Sequence, residues 1–273
     1  MRVRSHRKKL MLILGADRLL GRHLVRASEV DGWELVAPPP TMLDLCDREA
    51  TIDAVCGWKP NAVVNLPPRG DQRRLIVDGT RNIAVAVAKS GTRFVHVSTD
   101  AVFRGRSVPY DDGDRPDPIT DEGAWRARAE LEVLRTYPDA TVVRTSMLYG
   151  TDDLSDFQRL VQRVCTGEAE EAFCTDEVRC PTHAGDLAAA ISRIAHWRRH
   201  AGVLNVAAPE YLSVAEFAEL NAVWLGHEPR IITRTTIAAK GDARAGMVVL
   251  DSRVAGRLGV RCRVVGEWLD DPA

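Results

Sequence analysis

Short apolar runs alternate with amphipathic segments over the first 150 residues of the chain. The apolar runs lie at residues 9–16, 33–37, 61–66, 93–99 and 140–150, and segments with a helical spacing of apolar positions separate them. Alternation of this kind predicts an α/β fold, with a doubly wound, Rossmann-type parallel sheet whose strands are joined by right-handed crossovers. Ligands of such sheets bind outside the carboxyl ends of the strands.

The pattern changes after residue 150, where helical segments at 155–164, 185–197 and 213–226 surround one apolar run at 202–208. We therefore expect two domains. Residues 1–150 would form a dinucleotide-binding Rossmann-type domain, and residues 151–273 would form a smaller C-terminal substrate lobe folded over the strand ends. Part of that lobe, near residues 180–200, is expected to pack back on the first domain.

Composition narrows the class of protein. The chain has 273 residues, 45% of them hydrophobic, and a net charge of -1, so we expect a globular cytoplasmic protein without a nucleic-acid or membrane partner. The basic start, "MRVRSHRKK", is interpreted as a solvated tail. Six cysteines are present without a Cys-x-x-Cys pair, which indicates reduced thiols and no metal site.

A glycine loop, "GADRLLG", follows the first predicted strand and opens a helix. Gly15 suits the tight turn and Gly21 suits close helix–strand packing, with Leu19 and Leu20 before it. Arg18 stands where the dinucleotide fingerprint has its middle glycine. Two interpretations remain open: Arg18 pairs with a phosphate, or it fills the phosphate site and excludes the nucleotide. The acidic residue that holds a ribose hydroxyl in NAD enzymes is missing, which favours NADP, or no dinucleotide, over NAD.

Several motifs resemble those of the extended short-chain dehydrogenases/reductases, and within them the dTDP-4-dehydrorhamnose reductase type. The resemblance runs through the glycine loop, "LDLCD", "HVSTDAVFRG", "VVRTSMLYG" and "CPTHAGDLA", nearly from end to end of the chain. It implies that the Thr99 hydroxyl contacts the substrate carbonyl, with Ser98 and Asp100 beside it. It also implies a set of residues that bind NADP(H) or NAD(H): the glycine loop with Gly15, Arg18, Leu19, Leu20 and Gly21 at the phosphates, Asp44 and Leu45 along the adenine, and Asn65, Leu66 and Pro67 beside the ribose.

The sequence departs from this family at four chemically important positions. Where the family has a catalytic tyrosine and lysine, this chain has Glu122 and Arg126, and Arg18 and Asp78 stand in place of a glycine and an asparagine. A carboxylate, with a reference pKa of about 4.3, is a poor proton donor at neutral pH and suits a general base better. We expect Glu122 to face the cleft, within reach of Thr99 or Asp100, on a helix that begins near Gly123.

A plainer interpretation of these residues is a surface ion pair, because Glu122 and Arg126 have favourable i,i+4 spacing. His96 is interpreted as a core residue, and Trp125 as a core residue or a ligand contact. Two functions therefore remain open. The first is an enzyme acting on a small-molecule substrate, a nucleotide sugar or specialised metabolite, by dehydration, epimerisation or NADP-dependent carbonyl reduction with Thr99, Asp100, Glu122 and Arg126. The second is a non-catalytic NAD(P)-binding sensor or regulatory subunit. Homo-oligomerisation is left open.

Overall fold

The computed structural model describes residues 8–68, 70, 72–197, 200–241 and 243–269. Residues 1–7, which hold most of the basic start, lie outside the described residues. The strands are β1 Leu10–Leu14, β2 Glu34–Val36, β3 Ala62–Asn65, β4 Arg93–Thr99, β5 Thr141–Thr145, β6 Leu148–Tyr149, β7 Ala172–Cys174, β8 Val178–Arg179, β9 Thr182–His183, β10 Gly202–Asn205, β11 Leu212–Ser213 and β12 Thr233–Thr235. The α-helices are α1 Leu19–Val30, α2 Arg48–Trp58, α3 Thr80–Ser90, α4 Asp121–Thr136, α5 Asp156–Cys165, α6 Ala184–His196, α7 Val214–Trp224, α8 Ile237–Lys240, α9 Arg253–Arg257 and α10 Val265–Leu269.

A six-stranded parallel sheet in the order β10-β5-β4-β3-β1-β2 forms the centre of the molecule. The fold class predicted from the sequence is thus confirmed. Successive residues of β1 point to opposite faces, and both faces are buried. Met11 and Ile13 pack in the layer of α1 and α6, whereas Leu12 and Leu14 pack in the layer of α2 and α3. Helices therefore cover the sheet on both sides.

The C-terminal third contributes both to the Rossmann-type part of the molecule and to the smaller lobe. β10 joins the main sheet beside β5, and α6 packs on α1, so residues 184–205 lie with the Rossmann-type layer. Two other helices of the lobe, α5 and α7, enclose a second core that includes Val161, Phe173 and Ala218. The division at residue 150 stays a prediction, because the sheet itself extends beyond it.

Two features set the position of α4 against the sheet. Thr120 caps the helix by accepting a hydrogen bond from the Gly123 N–H, so the helix begins at Asp121, slightly earlier than the sequence predicted. A β-carbon on Gly123 would lie 2.2 Å from the carbonyl oxygen of Ala101, which means that only glycine permits this close approach. The first turn of α4 is thereby held against the end of β4. No helix in the described part of the chain is long and apolar enough to span a membrane.

Candidate active site

A cleft of about 720 Å³ lies at the carboxyl edge of the sheet, between the Rossmann-type layer and the smaller lobe. The residue set that lines it includes the glycine loop, the ends of β3, β4 and β5, the first turns of α4 and α5, and β8. Ten of its lining residues are charged, and they divide between two ends. We call these the α1 end and the α4 end, after the helices that begin there.

Sterically demanding contacts fix the glycine loop at the α1 end. Gly15 has a φ of +90°, and a β-carbon there would lie 2.3 Å from the Leu66 carbonyl oxygen. A β-carbon on Gly21 would lie 2.5 Å from the Cα atom of Ala16. Both positions therefore require glycine, and the loop is held between the end of β3 and the start of α1.

The first turn of α1 is open to an anion. Arg18 occupies the N-cap position without a side-chain cap, and the first turn contains no acidic residue. Within the described residues, the exposed Arg18 guanidinium has neither a hydrogen bond nor an ion pair, and Arg18, Leu19, Leu20 and Gly21 all line the cleft. Unpaired N–H groups at a helix start attract phosphates, and a guanidinium complements them. These residues fit the diphosphate of a dinucleotide.

Three of the residues assigned to cofactor binding by resemblance lie outside the lining of the cleft. Asp44 accepts a hydrogen bond from the Cys46 N–H at 2.8 Å, and Leu45 packs against the core below α2 and α3. Asn65 is buried, and its amide nitrogen lies 3.1 Å from Thr80 Oγ1 and also contacts His96. The Asp44 side chain is thus exposed and bonded within its own loop, and those of Leu45 and Asn65 pack in the domain, whereas Leu66 and Pro67 do line the cleft.

At the α4 end, Glu122 and Arg126 form one unit. Arg126 Nη2 lies 3.0 Å from Glu122 Oε1 and also donates to the carbonyl oxygen of Pro68. The other carboxylate oxygen of Glu122 accepts the Gly70 N–H at 3.2 Å. The Arg126 side chain is 5% exposed and that of Glu122 is 33% exposed, and both line the cleft. The pair is thus part of the cleft wall. The partly exposed carboxylate is open to the cleft, and the guanidinium is buried behind it.

Thr99 and Asp100 belong to a neighbouring polar cluster. Thr99 Oγ1 lies 3.1 Å from Asp100 Oδ1 and accepts the Ala101 N–H. Asp100 Oδ2 accepts from the Ser146 hydroxyl at 2.5 Å and lies 3.6 Å from Arg179 Nε. The cleft brings this cluster and Glu122 together as lining residues, but their hydrogen bonds in the described structure go to different partners.

Sequence reasoning missed Ser146, Glu177 and Arg179. Ser146 follows β5 at the carboxyl edge of the sheet, a position that the strand pattern marks for ligand contacts. Arg179 donates to the Ala245 and Gly246 carbonyls and to Glu177, which also pairs with Arg244. The sequence places no signal of these contacts near Arg179, since the carbonyls belong to a distant loop.

The sequence of the chain matches a described protein family over residues 8–239, that of the RmlD substrate binding domain. The chain belongs to the RmlD substrate binding domain family. It is 28% identical to a dTDP-4-dehydrorhamnose reductase of Mycolicibacterium smegmatis, over 96% of this chain and 88% of that protein. It is also 28% identical to a spore coat polysaccharide biosynthesis protein of Bacillus subtilis, over 93% of each chain.

The fold of this RmlD-family chain resembles a solved structure of dTDP-4-dehydrorhamnose reductase from Bacillus anthracis in complex with NADP. The TM-score is 0.88 at 24% identity, and the match covers 97% of this chain and 98% of that one. The fold of this chain therefore also occurs in a dTDP-4-dehydrorhamnose reductase.

The four positions at which the sequence analysis expects departures from the family pattern do not all lie at the cleft of this RmlD-family chain. Arg18, Glu122 and Arg126 line it, whereas Asp78 pairs with Arg81 outside the lining. His96 is fully buried in the core, where burial, with the Arg126 cation adding to it, lowers its pKa to about 3. Trp125 packs against a small cluster below α4 that includes Ile76, Val77 and Ala129. Of the four, the three that line the cleft therefore lie near the starts of α1 and α4.

Proposed function

We propose that this chain is an enzyme that binds a nicotinamide dinucleotide and a nucleotide-linked sugar in the cleft, and that Glu122 acts as a general base on the sugar. The observation that carries the proposal is the placement of the Glu122 carboxylate in the cleft wall, between the Arg126 guanidinium and the Gly70 N–H. Both partners complement a negative charge, and Glu122 lies in the first turn of α4, where the helix dipole favours an anion. An ionised carboxylate accepts protons.

The α1 end would hold the dinucleotide. The backbone N–H groups of Leu19, Leu20 and Gly21 and the Arg18 guanidinium are suited to its diphosphate, and Leu66 and Pro67 form the adjoining wall. When bound, the cofactor supplies a hydride donor or acceptor. Preference for NADP is supported by the absence of an acidic residue in the segment "LVAPPPT" that includes the end of β2.

The polar groups around Glu122 favour proton abstraction over protonation of a carbonyl. Thr99 is placed to donate its hydroxyl proton to Asp100, and Ser146 also donates to that carboxylate. Thr99 and Glu122 therefore present acceptor oxygens to a ligand. Acceptors suit a sugar hydroxyl or an acidic C–H group, as in epimerisation or dehydration. Carbonyl reduction, which the names of the relatives favour, is the second candidate, and it requires a proton donor at the same place.

Purified protein can test the proposal in two steps. Calorimetry with NADP⁺, NADPH, NAD⁺ and NADH should show binding, with NADP(H) tighter than NAD(H). Incubation with dTDP- and UDP-linked 4-keto sugars in deuterated water should then incorporate solvent deuterium into a sugar C–H position, as detected by NMR. Nicotinamide oxidation without deuterium incorporation at carbon would replace base chemistry with carbonyl reduction. Binding of a dinucleotide with neither reaction would support a non-catalytic role.

A further inference from the structure

A short strap runs beside the α1 end of the cleft, and its ends and its middle are held differently. The strap comprises residues 151–154. At its ends, the buried Gln158 side chain bonds to the backbone of Gly150 at 2.9 Å and accepts the Ser155 N–H at 3.0 Å. In the middle, Asp152 and Asp153 are held by ion pairs with arginines of α1 and α5. The ends are therefore fixed by buried hydrogen bonds, and the middle by exposed charges.

Asp153 joins two arginines that both line the cleft. Arg22 Nε, from α1, lies 2.6 Å from Asp153 Oδ2, and Arg159 Nη2, from α5, lies 3.1 Å from Asp153 Oδ1. The arginine side chains are 44% and 56% exposed, whereas Asp153 is 20% exposed and is not among the lining residues. Two cationic groups thus face the cleft, with their charge balanced by one carboxylate behind them.

We propose that Asp153 is an exchangeable counter-ion, and that Arg22 and Arg159 form a binding site for a ligand diphosphate that displaces it. This inference rests on the proposed binding of nucleotides in the cleft. Exposed ion pairs stabilise a protein by about 0–1 kcal/mol each, because water and salt screen them. A diphosphate carries more charge than one carboxylate and accepts bidentate bonds from guanidinium groups. It therefore competes well for the same two arginines.

Asp152 provides a matched control for this test. It is adjacent to Asp153 in the same strap, and it lies 2.5 Å from Arg26 Nη1 and 3.2 Å from His23 Nε2. Neither Arg26 nor His23 lines the cleft. Asp152→Asn and Asp153→Asn change the net charge equally, but only the second substitution releases arginines that face the cleft.

Calorimetry on the full chain, with inorganic pyrophosphate, NADPH and dTDP as probes, tests the exchange. Asp153→Asn should tighten pyrophosphate binding by about three- to tenfold at low salt, and Asp152→Asn by less than about twofold. Unchanged or weaker binding to Asp153→Asn, or an equal gain in both variants, would overturn the proposal. If pyrophosphate binding tightens, a parallel gain for NADPH but not dTDP would assign the site to the dinucleotide, and a parallel gain for dTDP but not NADPH would assign it to the sugar nucleotide.

Arg159→Gln keeps the test decisive if the strap variant does not fold. It should weaken pyrophosphate binding by about threefold or more, because half of the site is lost. Binding equal to that of the wild type would count against the proposal. Failure of the proposed function gives a different pattern, in which the wild type binds neither NADPH nor dTDP while the response to pyrophosphate persists.

Discussion

The two ends of the cleft use charge in opposite ways. At the α1 end, the Arg18 guanidinium has no partner in the described structure, and the exposed Arg22 and Arg159 side chains pair with the partly buried carboxylate of Asp153. At the α4 end, Glu122 and Arg126 neutralise each other, and the guanidinium is buried. The α1 end has cationic groups available for an anion from solution, whereas the α4 end is internally balanced.

This difference separates binding from chemistry within one cleft. A ligand with a diphosphate gains most at the end where cations lack strong partners. A carboxylate that acts on an uncharged sugar instead needs a fixed position and a stable charge, which buried and backbone contacts provide. Below Glu122 and Arg126, the next turn of α4 carries Glu130, which pairs with Arg144 in the core. The α4 end is therefore supported by a second layer of buried charge.

Breaking the buried ion pair between Glu130 and Arg144 should have the largest effect, a loss of folding stability. Glu130 Oε2 lies 2.7 Å from Arg144 Nη2, Oε1 accepts from the Ser98 hydroxyl, and the ion-paired side chains are 2–3% exposed. Glu130→Ala would leave a buried guanidinium without its counter-ion, so we expect the free energy of unfolding to fall by about 3–5 kcal/mol. Urea denaturation measures this. Glu132→Ala, which removes the half-exposed pair with Arg128, should cost less than about 1 kcal/mol. Equal losses of unfolding free energy in the two variants would show that the buried pair stabilises α4 no more than the surface pair does.

Removing the charge of Glu122 should have the next largest effect. Glu122→Gln keeps the shape of the side chain but removes its ability to accept a proton, so turnover should fall by about 10²-fold or more. The dissociation constant for NADPH should change little, because the dinucleotide is assigned to the α1 end. Steady-state kinetics and calorimetry measure the two quantities. A variant with unchanged turnover would return Glu122 and Arg126 to a purely structural ion pair.

The sequence predicted the features of the fold and of the site that depend on the local spacing of residues. The alternation of apolar runs predicted the parallel sheet, and the i,i+4 spacing predicted the contact between Glu122 and Arg126. It did not reach contacts that join distant segments. Arg22 and Asp153 are 131 residues apart, and Asp100 and Ser146 are 46 apart, so no local pattern relates them. Crossovers and the folded-back lobe bring these side chains together.

The cofactor-binding roles that were assigned by family resemblance were limited in a different way. Asn65 follows the family pattern, but its side chain is buried against Thr80 and His96, and only its neighbours Leu66 and Pro67 reach the cleft. Asn65 is the last residue of β3, within the sheet, whereas Leu66 and Pro67 follow the strand at its carboxyl edge, where the cleft lies. The motif therefore located the segment, and the end of the strand separates the side chain held in the core from those that line the cleft.

Substitution of Arg18 should have a moderate effect and decide between two interpretations of the glycine loop. If the unpartnered guanidinium binds phosphate, Arg18→Gly should weaken NADPH binding by about tenfold through loss of a charge-assisted contact. If Arg18 instead fills the phosphate site, the same substitution restores the fingerprint glycine and should tighten binding. Calorimetry gives the sign directly. Asp17→Asn, at an exposed neighbour in the same loop, controls for a general change in charge.

The smallest expected effect is a loss of stability below neutral pH, and it concerns the support beneath the α1 end. His183 caps α6, with its Nδ1 accepting the Gly185 N–H at 3.1 Å, and its ring stacks on Trp268. Burial lowers the pKa of His183 to about 4, although the Asp186 carboxylate acts in the opposite direction. Protonation at Nδ1 would also remove the acceptor that caps the helix.

The sign of the pH effect follows from the two pKa values of His183. In the unfolded chain its pKa is about 6.5, so between pH 6.5 and 4 the unfolded state binds a proton that the folded state excludes. Stability should therefore be full above about pH 6.5 and should fall by roughly 1 kcal/mol by about pH 5.5. Urea denaturation across this range measures it. His183→Asn keeps an N-cap acceptor without a titrating ring, so its pH dependence should be shallower. If the free energy of unfolding of that variant depends on pH as steeply as that of the wild type, other groups are responsible. His23 on α1 is one such group, because burial also lowers its pKa.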